Sequence, residues 1–162
     1  MKQVFTLAIV RKENKVLLAR KMKKIGAGYW NGFGGKVEVG ESIAAAAVRE
    51  CTEEIGINPL KAILRGVLTF DYTRTDLGGI HEVHVFEIPE FTGVPTGTDE
   101  MSDPTWFAAA DIPYEEMWED DKYWLPLLLA DKYFEGDCVF DSNKSLVKQN
   151  IREIEKAVAP LT

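Results

Sequence analysis

The sequence predicts mixed α and β structure in one domain spanning residues 1–162. Three observations predict it. Residues 35–57 carry an apolar stripe at helical spacing, β-prone runs flank that stripe on both sides, and no repeat, low-complexity tract or linker splits the chain. A hydrophobic content of 46% is enough for a full core without staples.

Residues 4–10 and 16–19 are short β-prone runs separated by "RKENK", a hairpin signal. Residues 21–35, "KMKKIGAGYWNGFGG", then hold five glycines and three lysines, a composition for backbone that turns and approaches something closely. In the helix that follows, Ala44, Val48, Cys51 and Ile55 recur at i, i+4, i+7 and i+11, with Gly56 and Pro59 as stop signals and the acidic residues expected opposite. "AILRGVLTFDYTR" and "HEVHVFEI", joined through "TDLGG", read as a long hairpin. A looser run leads to a short strand "TWF" and then to a helix from about Lys122 to Ala130, in which Pro126 must occupy the first turn or bend the axis. The last thirty residues read two ways. Val147, Ile151, Ile154 and Val158 have helical spacing, whereas "DCVFD" and "SLVKQNIREI" can pair as strands.

The formal charge of −7 argues against a protein that grips nucleic acid polymers through a basic surface. A polyanionic ligand must therefore arrive with cations. Cys51 and Cys138 are too few for a disulfide framework and have no zinc spacing. The opening "MKQVFTLAIVRKENK" has only a short apolar run ended by Arg11 and Lys12, neither a secretory leader nor a membrane span. A cytoplasmic monomer is expected, without membrane attachment.

On a helix, Glu50, Glu53 and Glu54 lie at i, i+3 and i+4, so three carboxylates crowd one face and repel one another. A solvated charged face is the ordinary reading of such a cluster. Binding a hard divalent cation is the other, because Mg²⁺ takes oxygen ligands and is commonly shared between a few carboxylates and substrate phosphates. The glycines just before the helix allow a carbonyl and a phosphate to come close.

The spacing favours the second reading. Gly35, five residues, Glu41, seven residues, Arg49, Glu50, Cys51, one residue, Glu53, Glu54, one residue, Gly56, Ile57 resembles the signature box of the Nudix hydrolases at every charged and glycine position. The one departure is Cys51, small and apolar where the family usually has an aliphatic residue. The resemblance implies a loop–helix–loop on a mixed sheet in an α/β/α sandwich, and hydrolysis of a nucleoside diphosphate linked to another group. It further implies Glu50 and Glu54 as Mg²⁺ ligands with the Gly35 carbonyl, Glu53 as a further ligand, and Arg49 as the residue that orients the glutamates; Mn²⁺ is the alternative ion. Glu50, Glu53 or Glu54 can serve as general base, as can a carboxylate from outside the box, for which Glu100 is the candidate; a plain loop carboxylate is its other reading.

From about Thr6 to Phe134 the chain is similar to the branch of this family that acts on oxidised purine nucleoside triphosphates, in "GAGYWNGFGGKV", "VHVF", "DEM" and "MWEDDKYWLPLLL". By that resemblance Asn31 and Thr6 contact the substrate, Trp118 and Phe70 supply faces for a purine ring, and Lys21 lies on the phosphate side. Lys21, Lys23 and Lys24 either attract a triphosphate at long range or form an ordinary solvated loop. Asp120 and Asp121 are adjacent carboxylates that cannot both stay ionised against one ligand, so the pair titrates jointly and offers one acceptor and one donor to a purine edge. Capping the following helix is their plainer role. Three departures from that branch alter the walls: Ile25 replaces an aromatic, His81 a methionine, and Glu119 a proline. His81 is expected to face solvent or pack beside the ligand. The expected reaction is Mg²⁺-dependent conversion of a modified purine nucleoside triphosphate, such as 8-oxo-dGTP or 2-hydroxy-dATP, to monophosphate and pyrophosphate. The alternatives are a hydrolase of ADP-ribose or dinucleotides, and a non-catalytic ligand sensor.

Overall fold

In the computed structural model of the protein, which describes residues 2–156, the β-prone runs all become strands of one mixed sheet. In chain order the elements are β1 (Lys2–Lys12), β2 (Lys15–Lys21), β3 (Trp30–Asn31), α1 (Ile43–Ile55), β4 (Asn58–Asp71), β5 (Ile80–Thr92), β6 (Met101–Ala108), α2 (Asp121–Leu129), β7 (Tyr133–Phe140) and β8 (Leu146–Ile154). Both expected hairpins form. β1 pairs antiparallel with β2, and β4 with β5. The sheet becomes mixed because β1 also pairs in parallel with β5, placing Thr6 opposite His84, and β4 pairs in parallel with β7. The order is β3-β2-β1-β5-β4-β7-β8, with β6 joined to β2 off this path.

Alternation along the central strands sorts their side chains between two cores. Ala8, Val10, Leu17, Phe86 and Ile88 pack under α1, whereas Ile9, Val16, Leu18, Leu68 and Val85 pack against Trp124, Leu125 and Leu128 of α2. Helices thus cover both faces, giving the expected α/β/α sandwich. No helix among the described residues is long and apolar enough to cross a membrane.

Helix α1 starts where the Ser42 side chain accepts the Ala45 N–H at 3.1 Å, and stops at Gly56, whose φ of 73° is left-handed. Its buried stripe is rotated from the expected one. Ile43, Ala46, Ala47, Cys51 and Ile55 face the sheet, while Ala44 is exposed and Val48 half-exposed. Alanines on every side of the helix make the phase ambiguous in sequence, and packing selects it. The correction matters because Glu54 lies on the buried side, at 4% exposure, rather than opposite the stripe.

Three other differences have local causes. β6 extends well beyond "TWF", since β2 offers a full-length antiparallel edge. Pro126 sits in the second turn of α2, where the carbonyl left unpaired belongs to exposed Lys122. The C-terminal ambiguity resolves to strand, because Gly136 of β7 leaves room for Ile151 of β8 to lie directly over it. Val158 lies outside the described residues.

Candidate active site

One turn of α1 and the glycine loop before it form the charged end of the site. Gly34 donates its N–H to Glu54 Oε1 at 2.9 Å, and only glycine fits there: a Cβ would stand 1.9 Å from the Thr6 carbonyl oxygen. Arg49 donates to both oxygens of Glu41, at 2.6 and 3.0 Å, and reaches Glu50 at 2.9 Å and Glu53 at 3.3 Å. The guanidinium therefore offsets part of the repulsion within the row. The hydrogen bond from Arg49 holds Glu41 below the usual carboxylate range. Burial, only partly countered by Arg49, raises Glu50. Burial likewise pushes Glu54 up to about 8, opposed by the Gly34 N–H and Lys21 and reinforced by Glu50 and Glu100.

Hard oxygen donors in an acidic, half-desolvated turn suit a divalent cation, which would hold these carboxylates in their charged form. Among the described residues no three ligating side chains already enclose one point. A cation that keeps its own waters and takes one or two carboxylates needs no such cage. The Gly35 carbonyl accepts the Thr6 N–H at 2.9 Å and retains its second lone pair. Gly35 itself lies so close to the row that a Cβ would meet Glu50 Oε1 at 2.5 Å.

From this turn a cavity of about 730 Å³ runs along β1 to the segment before α2. Its far end is aromatic. Phe5 stacks on His81 with centroids 4.3 Å apart, Tyr72 stands edge-on to His81 at 4.9 Å, and Trp118 and Phe70 each lie 6.0 Å from Tyr72. Asp120 and Asp121 are sealed against this floor at 3% and 4% exposure, and the Trp124 indole N–H donates to Asp120 Oδ2 at 2.8 Å. Burial pushes Asp120 up to about 6, and burial together with the Asp120 charge drives Asp121 well above the carboxylate range. The capping role is not what the geometry shows: Asp120 is helical, with φ −75° and ψ −23°, and its side chain makes no cap hydrogen bond. Between the two ends, the Thr6 hydroxyl is buried with no hydrogen-bond partner among the described residues. An unpaired buried hydroxyl is costly unless a ligand uses it.

Residues 1–128 match the family described as NUDIX domain. The chain belongs to the Nudix hydrolase family. Over 153 residues it is 37% identical to the oxidized purine nucleoside triphosphate hydrolase of Mus musculus, covering 94% of this chain and 96% of that protein. To the Danio rerio protein of the same name it is 39% identical over 154 residues, with the same coverage. Among solved structures, the MutT protein of Bacillus halodurans superposes with a TM-score of 0.76 at 26% identity, covering 92% of this chain and 97% of that one.

On this Nudix fold the residues expected to bind substrate or metal or to act in catalysis line this same cavity: Thr6, Lys21, Asn31, Gly35, Arg49, Glu50, Glu53, Glu54, Phe70, Glu100, Trp118, Asp120 and Asp121. Lys23 and Lys24 line it too, and Lys23 also pairs with Asp99 at 2.8 Å, linking two loops at the rim. Glu119 turns away and accepts the Leu146 N–H at 2.7 Å. His81 does not face solvent; it is 8% exposed and part of the wall. Phe5, Tyr72 and Lys36 also line the cavity and were not anticipated. Phe5 had a signal in the alternation of β1, where it shares a face with Leu7 and Ile9. Tyr72, just past the end of β4, had the same signal, continuing the alternation of Leu68 and Phe70.

Proposed function

We propose that this chain hydrolyses oxidised purine nucleoside triphosphates, 8-oxo-dGTP and 2-hydroxy-dATP among them, to monophosphate and pyrophosphate, clearing them from the precursor pool. One observation carries the reading: a single cleft has a glutamate-rich turn at one end and a buried acid pair on an aromatic floor at the other. Two relatives whose names state this activity, each aligned over 94% of the chain, support it.

Glu50 and Glu54, with the Gly35 carbonyl, would hold Mg²⁺ or, in its place, Mn²⁺, and Glu53 and Glu100 complete the donor set. When bound, the ion supplies neutralisation of charge on the phosphate oxygens and a more acidic water. Arg49 fixes the rotamers of Glu50 and Glu53 through the hydrogen bonds given above. One carboxylate among Glu50, Glu53, Glu54 and Glu100 takes the proton of the attacking water. Lys21, whose charge is felt at Glu54, lies on the phosphate side. At the other end the purine packs against Trp118 and Phe70, with Asn31 and Thr6 adding hydrogen bonds. The ionised member of the Asp120–Asp121 pair accepts from a ring N–H while the protonated member donates. Moving that proton adapts the pair to guanine-type and adenine-type edges.

Pyrophosphate release with Mg²⁺ across a panel of canonical and damaged nucleoside triphosphates tests the proposal. The expected result is a higher kcat/KM for the oxidised members. Sustained turnover of ADP-ribose with negligible action on oxidised triphosphates refutes it.

A further inference from the structure

His81 stands in the cleft wall without any of the roles assigned above. It lies on β5 between Gln3 of β1 and Phe70 of β4, so its backbone is fixed from both sides. Its ring is clamped as well. Phe5 stacks on it at an interplanar angle of 24°, and Tyr72 meets it at 72°. Among the described residues neither ring nitrogen has a hydrogen-bond partner, although the residue is only 8% exposed and lines the cavity. Burial, and behind it the charge of Lys36, lower the pKa of the imidazole, so at neutral pH the ring is uncharged. A neutral imidazole carries one N–H donor and one acceptor nitrogen. Neither nitrogen is sealed away from the cavity, so one donor and one acceptor on a clamped ring stand available to a ligand there.

The chemistry of the substrate offers such a match. Oxidation at C8 of a purine turns the N7 acceptor into an N–H donor and adds a carbonyl acceptor beside it. A hydroxyl at C2, in its keto form, creates the same donor–acceptor pair elsewhere on the ring. Asp120 and Asp121 engage one edge of the base and leave the others free. Resting on the function proposed above, we propose that His81 is a specificity-determining residue of the base subsite. Its ring hydrogen-bonds a purine position that the acid pair leaves free, favouring bases with an added oxo or hydroxyl group over the parent bases.

Two variants test this through separate kcat and KM values for 8-oxo-dGTP and dGTP. His81→Phe keeps a ring for Phe5 and Tyr72 and removes both nitrogens; His81→Gln restores a donor and an acceptor. The expected result for His81→Phe is a KM for 8-oxo-dGTP raised on the order of tenfold, the size of one lost hydrogen bond, with KM for dGTP changed less than about twofold. His81→Gln recovers part of that loss. An 8-oxo-dGTP to dGTP ratio indifferent to His81→Phe overturns the proposal. Should His81→Phe fail to fold, ¹⁵N spectra of the wild type, which has two histidines, decide the matter. Saturation with 8-oxo-dGMP is expected to shift the ring nitrogens of His81, and unmoved resonances overturn the assignment. A wild-type enzyme inactive on 8-oxo-dGTP would instead refute the function proposed above, whereas an active one with an indifferent ratio refutes only the role of His81.

Discussion

The Trp124 indole and the Asp120 carboxylate, one helical turn apart, are joined by a 2.8 Å hydrogen bond inside the core. This contact aims one carboxylate of the acid pair. Asp120→Asn keeps an acceptor for Trp124 and cannot ionise. We expect KM for 8-oxo-dGTP to rise on the order of tenfold or more with a smaller fall in kcat, as for a binding contact. A change confined to melting temperature would reduce Asp120 to a structural residue.

The same pair makes stability depend on pH. Burial raises Asp120 from 3.8 in the unfolded chain to about 6, and Asp121 goes higher, so across that interval the folded state binds more protons than the unfolded state. Stability contributed by the pair is therefore present at low pH and lost as pH rises from about 4 through 6 and beyond. Asp121→Asn, which stays neutral, is expected to flatten the pH dependence of the melting temperature between pH 5 and pH 8. An equally steep dependence in the variant would contradict the linkage.

Glu54→Gln separates charge from architecture. Glutamine keeps an oxygen to accept the Gly34 N–H, so the melting temperature should hold. Loss of the carboxylate is expected to lower kcat on the order of 100-fold or more while nucleotide binding largely persists. Unchanged turnover would remove Glu54 from the cation site.

Gly34 tests the seating of the glycine loop. In Gly34→Ala the new methyl would meet backbone atoms of Thr6, which cannot swing aside as a flexible side chain does. Overpacking of this kind should cost on the order of 3 kcal/mol in urea unfolding and detach Glu54 from the loop. An alanine variant of wild-type stability would mean that the loop sits farther from β1.

Arg49→Lys asks whether the fork geometry matters. Lysine keeps the charge but cannot hold Glu41 through two donors and reach Glu50 and Glu53 together. We expect a kcat roughly tenfold lower, with half-maximal Mg²⁺ activation at a higher concentration. Identical metal titrations for wild type and variant would leave Arg49 a surface residue.

Much was legible from local pattern alone. Alternating apolar runs and turn residues specify the two hairpins, Gly56 stops α1, and the spacing from Gly35 to Ile57 marks the charged turn, because each depends on residues close in sequence. Contacts between distant segments decided the rest. Alanines around α1 left its rotation open until the sheet buried Glu54, and the C-terminal segment became a strand only because Gly136 offered space to Ile151. Tyr72 and Phe5 joined the cleft for the same reason: burial, and the pKa shifts that follow from it, belong to a neighbourhood that the linear order of residues does not contain.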